Sequence, residues 1–277
     1  FGSSRHRIST GALELPRLVS AFLPAMKPLN VLTLLVLLAN YFICGKVAFE
    51  IHAGKTLAEP LFPMLYNVFW TVAVLLMWVQ LAMTPKFTEF EKQFVFYASY
   101  HDNFPNQLIH CVFVWPILLT GLVFLSFTTY GVFEIAGFQV HALSLVFALV
   151  YAVYYAYLEK PVGIAASVLV MAGWAIAEHL SKFHEQALPI AFATHLVSWI
   201  AQFIGHGVFE GRAPALLDNL GQSFFMAPLF VIFEALSWCG YNKDLFCELK
   251  VQVNKNKALF AKGGKVTVSG SEEPLLS

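Results

Sequence analysis

Charge is the scarcest feature of this chain. Only 12% of its 277 residues are charged, against 58% that are hydrophobic. With 27 phenylalanines and a mean hydropathy of +0.67, that excludes an ordinary soluble domain. Lys+Arg and Asp+Glu balance at 17 each, and no basic stripe exists outside the C-terminal tail, so nucleic acid is not expected as a partner. The four cysteines (Cys44, Cys111, Cys239, Cys247) lack CxxC spacing and read as core residues in a reducing or membrane setting. No P-loop, GxGxxG cradle or GxSxG elbow occurs. HExxH is missing, which argues against a zincin protease, and so are the HxxxH and HxxHH boxes of membrane desaturases. The chain opens on Phe1 rather than methionine, the mark of a processed or incomplete sequence, and this leaves the compartment open.

What is present are apolar runs. Crossing a bilayer core of about 30 Å takes roughly 20 apolar residues. Candidate spans fall at 29–49, 61–83, 108–130, 139–158, 161–178, 187–205 and 222–240. Two are weak. Residues 161–178 follow the preceding run after only Glu159-Lys160-Pro161, as in a short or tilted half of a hairpin. Residues 187–205 carry His195, Gln202 and a glycine, so they cannot face lipid all round. The fold class is therefore all-α, a polytopic membrane helix bundle with six or seven apolar helices. Lysines and arginines at both ends favour six crossings.

The chain divides into a polar, basic lead (1–27), a two-span extension with an amphipathic helix (28–91), a helix bundle (92–241) and a Lys-rich tail (242–277) expected to be mostly disordered. In the amphipathic stretch, Phe87, Phe90 and Phe94 fall at i, i+3 and i+7, which suits either the membrane interface or packing on the bundle.

Two polar clusters interrupt the apolar sequence. The first runs from His101-Asp102-Asn103 to Asn106-Gln107 and His110. Nine residues apart, His101 and His110 point to opposite faces of an unbroken helix. They converge only if the chain breaks between them, and Asn103-Phe104-Pro105-Asn106 supplies turn chemistry, with Asn106 as N-cap of a helix from Gln107. The second runs from Gly205 to Asn219 and holds His206, Glu210, Arg212 and Asp218. His195, Trp199, Gln202 and His206 form one helical stripe, but His195 and His206 stand about 16 Å apart along a straight helix and cannot share one ion. Ionisable groups at membrane depth generally mark function. A single histidine in a bundle is nonetheless more often a hydrogen-bonded core residue. His141, His179 and His184 lie near span ends, where histidines anchor; His179 stands out because Glu178 precedes it.

Together the clusters resemble the fungal 2-hydroxy fatty acid dioxygenase family of small multispan membrane proteins. The residues that carry the resemblance are Tyr100-His101, Asn106 and His110, then Trp199, Gln202, Phe203, Gly205, His206, Glu210 and Pro214, followed by Asp218-Asn219, Gln222 and Pro228. It covers about residues 92–241. Pro105 sits one position late and Trp115 precedes Pro116 where the family pattern has proline first. The two N-terminal spans lie outside the resemblance.

The resemblance implies Fe2+-dependent α-oxidation, in which a 2-hydroxy fatty acid loses one carbon using dioxygen, as in phytosphingosine breakdown at the endoplasmic reticulum. On that basis His101, His110 and His206 are the expected iron ligands. Glu210 is expected as a fourth ligand or as a partner that orients one, and Asn106 and Gln202 as groups that orient ligands or substrate. Arg212 is suited to pair with the substrate carboxylate, and His195 to line the substrate path. Asp218 and Asn219 are expected to cap a helix from Leu220. Imidazole serves iron and zinc alike. Two rival readings remain: a non-catalytic subunit of a larger membrane assembly, homo-oligomeric or otherwise, and a His/Glu proton or metal transporter.

Overall fold

The computed structural model describes residues 27–54, 61–135, 137–211, 216 and 219–261. Five helices among them are long and apolar enough to cross a membrane, and two shorter apolar helices accompany them, so the protein is an all-α polytopic bundle. The first two, α1 (Pro28–His52) and α2 (Leu61–Met83), form an antiparallel hairpin. Its seam is polar. Gln80 Nε2 donates to Asn30 Oδ1 at 3.0 Å and Thr33 Oγ1 at 3.1 Å, and Asn40 Nδ2 donates to the Phe69 carbonyl at 3.1 Å. Between lipid-facing helices such bonds contribute only about 0.6 kcal/mol each on average, but they fix the register of one helix against the next.

Only the second half of the amphipathic stretch is helical: Phe87 lies in a turn, and α3 (Phe90–Tyr100) packs Phe90 and Phe94 on the protein. Phe90 and Phe94 lie 4.9 and 5.0 Å from Phe233, both edge-on, the geometry aromatic quadrupoles prefer. The chain breaks at residues 101–103 and resumes as α4 (Phe104–Leu125), the central helix. This helix starts three residues earlier than the sequence suggests. Asn103 rather than Asn106 is its N-cap, because Pro105, which fits the first helical turn, lies inside it. A small hairpin of β1 (Val132–Ile135) and β2 (Phe138–His141) occupies the start of the run read as a span from 139. Helix α5 (Ala142–Leu158) follows it, then α6 (Val162–Phe183) and α7 (Ala187–Ile204). The run from 161 is thus a full-length helix.

The run at 222–240 is not one span. It splits into α8 (Leu220–Phe225) and α9 (Ala227–Trp238), with Pro228 in the first turn of α9, where its missing N–H disturbs the helix least. Asn219 caps α8 as expected, its side chain accepting the Gln222 N–H at 3.1 Å. The tail departs most from expectation. Lys243–Ala261 form α10, a 19-residue helix with Leu249 and Val253 buried. Asn256 bonds Ser99 at 3.0 Å and Lys257 pairs with Asp102, which docks α10 on α3. Cys239 and Cys247 are exposed rather than in the core, and all four cysteines are free. Glu178 is engaged by His141, at 2.6 Å, and by Ser126; His179 beside it is exposed.

Candidate metal centre

The break between α3 and α4 brings two histidines together. His101 ends α3 and His110 lies two turns into α4, so the chain reverses around them. The third comes from the far side of the sequence. After Ile204, α7 widens into a π-helical stretch, Gly205–Glu210, which Gly211 closes in the left-handed conformation (φ 63°) with its N–H on the His206 carbonyl. Such insertions recur at functional sites. Gly205 is required there, since a Cβ would run into the amide oxygen of the fully buried Asn106.

His101, His110 and His206 are all buried, and one ligand atom of each lies within 4.8 Å of the others. Hydrogen bonding settles two tautomers. Nδ1 of His101 lies 2.6 Å from the Tyr97 carbonyl and Nδ1 of His110 lies 2.9 Å from the Asn106 carbonyl. A carbonyl only accepts, so both Nδ1 atoms carry the proton and both Nε2 atoms present a lone pair. Those two Nε2 atoms face each other at 3.0 Å. Two acceptors held that close call for positive charge between them, and the spacing is one that two nitrogens about 2.1 Å from a single ion adopt. Histidine ligands are typically oriented in this way, by donation from the other ring nitrogen. Burial, then the neighbouring imidazoles, push the His101 pKa well below the usual histidine range, which keeps it in the neutral form that binds metals.

The remaining candidates separate. Glu210 lies beside the cluster but faces the start of α4. Its Oε1 accepts the Asp102 N–H (2.7 Å), the Asn103 N–H (2.8 Å) and Asn106 Nδ2 (3.2 Å), so it ties both polar clusters together as a carboxylate at a helix N-terminus. Asn106 orients His110 through its carbonyl and Glu210 through its amide. Gln202 lines the cavity beside the histidines, 5% exposed, and neither amide atom is hydrogen-bonded among the described residues. His195 also lines the cavity, but its nitrogens are engaged. Trp199 Nε1 donates to Nε2 at 2.9 Å, as does the Tyr41 hydroxyl at 2.7 Å, so the Nδ1 proton faces Thr120 Oγ1 at 2.7 Å. Arg212 and Asp218 lie outside the described residues.

Two participants escaped the sequence reading. Tyr97 stacks on His101 with ring centroids 4.1 Å apart, and its buried hydroxyl has no hydrogen-bond partner among the described residues. Glu234, fully buried, accepts from Gln107 at 2.8 Å, and Gln107 also donates to the His101 carbonyl. A carboxyl inside the apolar run 222–240 was a visible signal. Tyr97 carried a weaker one, as an aromatic residue one turn before a histidine.

The cavity of about 130 Å³ starts at the three histidines and follows α4 through Val114, Leu118, Gly121 and Leu125. At 1.5 Å per residue, His110 to Leu125 is about 22 Å. The cavity lining is largely apolar over that length, making an apolar slot that suits an alkyl chain.

Residues 87–237 match the family described as 2-hydroxy-palmitic acid dioxygenase Mpo1-like. The chain is 35% identical over 164 residues to the 2-hydroxy-palmitic acid dioxygenase MPO1 of Saccharomyces cerevisiae (strain ATCC 204508 / S288c), which spans 58% of this chain and 88% of that protein. No solved structure matches.

Proposed function

The chain belongs to the Mpo1-like family, and from that premise we propose that it is an Fe2+-dependent dioxygenase that shortens a 2-hydroxy fatty acid by one carbon. The observation that carries this reading is the buried three-imidazole cluster in the lining of an apolar slot. His101, His110 and His206 would hold the iron. Iron(II), when bound, supplies the electron transfer that lets dioxygen react with the hydroxy acid.

The protein's own groups do the rest. The Tyr97 and Asn106 carbonyls hold the His101 and His110 protons on Nδ1 and keep Nε2 directed at the site. Gln202 offers a buried donor and a buried acceptor to the hydroxyl and carboxylate of the substrate head. Arg212 is the proposed counter-charge for that carboxylate. The slot takes the alkyl tail and keeps water away from the head.

Overall, one 2-hydroxy acid and one dioxygen give the acid one carbon shorter, carbon dioxide and water. The C1–C2 bond breaks, C2 becomes the new carboxyl carbon and no external reductant is consumed. The proposed compartment is the endoplasmic reticulum membrane, with sphingoid-base breakdown as the source of the acid.

The test is metal analysis of detergent-purified protein prepared without oxygen, followed by incubation with 2-hydroxypalmitate and dioxygen. Near-stoichiometric iron and pentadecanoic acid are expected. A folded sample with neither bound metal nor turnover would overturn the reading in favour of a non-catalytic membrane subunit.

A further inference from the structure

The hairpin of α1 and α2 lies outside the residues that match the family, yet it builds one wall of the slot. Leu37 and Tyr41 of α1, and Trp70, Val74 and Met77 of α2, line the same cavity as the three histidines. Their depth can be read along α4. Tyr41 meets His195, which meets Thr120, ten residues beyond His110 and so about 15 Å from it. The Trp70 ring lies 5.6 Å from Phe124, about 21 Å from His110.

An acyl chain that spans one leaflet, half of a hydrocarbon core of about 30 Å, is about 15 Å long. With its head at the histidines, its tail reaches Tyr41 and approaches Trp70. This wall is not free to yield. Besides the polar seam between α1 and α2, the Tyr66 hydroxyl donates to the Phe124 carbonyl at 2.7 Å, and Asn67 Nδ2 donates to Thr129 at 2.9 Å. The first anchors α2 to the far end of α4 and the second to the turn that follows it.

We propose that the N-terminal hairpin is the distal wall of the acyl slot and sets the chain length that the site accepts, with Trp70 as the stop. The proposal rests on the 2-hydroxy acid reading of the same site and adds the residues that measure the tail. A buried methylene that fits or fails to fit an apolar pocket changes discrimination by tenfold or more.

The experiment uses the full-length protein in detergent. Saturated 2-hydroxy acids of graded length compete with a fluorescent long-chain fatty acid, and turnover of the same series is measured in parallel. Two variants act in opposite directions: Trp70→Leu lengthens the slot and Val74→Phe shortens it. Affinity of the wild type should rise with each added carbon and then level off where the tail meets the wall. Trp70→Leu should move that break to longer chains, with about a tenfold relative gain for acids past the wild-type limit; Val74→Phe should move it to shorter ones.

An unchanged break in either variant, shown to be folded by thermal unfolding, overturns the proposal. So does a folded wild type that no acid displaces from the probe. Displacement with the expected break but no turnover of any acid would instead sink the dioxygenase reading and leave the hairpin as the wall of a lipid-binding slot.

Discussion

The Glu210 carboxylate accepts the backbone N–H of Asn103 at 2.8 Å, across 107 residues of sequence. The same oxygen takes the Asp102 N–H and the Asn106 amide. One side chain thus satisfies the otherwise unpaired donors at the start of α4 and holds the π-helical stretch, with His206, against the helix that carries His110. Glu210→Ala should strip those donors of their acceptor and cost about 1–3 kcal/mol. Glu210→Gln keeps an acceptor, loses the charge and should cost about 0.3–2 kcal/mol. Thermal unfolding of both variants checks the order, and equal losses would contradict the capping role.

Gln202 separates binding from stability. Its amide is buried and makes no hydrogen bond among the described residues, so Gln202→Leu removes a desolvated polar group without breaking a contact seen there. Stability should stay the same or rise, while kcat/KM for 2-hydroxypalmitate falls by about 10- to 100-fold as a substrate hydrogen bond is lost. A variant that loses stability and activity together would assign Gln202 to the framework instead.

Gly205→Ala should act on the metal rather than on the slot. The new Cβ meets the Asn106 amide oxygen, and Asn106 cannot move aside without breaking its bond to Glu210. Overpacking of this kind costs about 1–3 kcal/mol. The shift of His206 away from His110 should lower metal affinity by about 10- to 100-fold. Metal content after dialysis against a graded chelator reads this directly, and retention equal to wild type would argue against close control of the cluster by Gly205.

The α10 helix should behave as an independent attachment. Val253 is fully buried, so Val253→Asp places an uncompensated charge in its seat, a cost of several kcal/mol. Protease cleavage within 243–261 should rise by about a hundredfold, since cleavage follows the population of the opened segment. Bound metal should be unchanged, because none of the three histidines lies on α10. Loss of metal in step with cleavage would show that the tail supports the centre.

Much of this architecture is local and was legible in the chain. Apolar run length locates α1, α2, α6 and α7 to within a few residues, because a helix in lipid must satisfy its own backbone and cover it with apolar side chains. That the chain breaks between His101 and His110 is legible for the same kind of reason, since asparagine acts on its own backbone. The break lies at 101–103 rather than at 103–106, because Pro105 fits the first helical turn. The stripe of His195 and Gln202 follows from the helical period, and both residues are buried. The docked α10 was missed because its apolar positions are few and lysines surround them, so only a partner surface on α3 and α9 makes the helix worth forming.

What the sequence determined by itself was where most of the membrane-length apolar helices lie and which histidines sit in polar clusters. The family resemblance grouped His101, His110 and His206, and the tertiary structure supplied the way they meet. It alone decided that Glu210 turns to a helix N-terminus rather than to the cluster, and that a hairpin outside the family match lines the slot. The reason is distance along the chain. Periodicity and turn chemistry act over a few residues, whereas His110 and His206 are brought together by the packing of α4 against α7, through contacts such as Gly205 on Asn106 that no local pattern records.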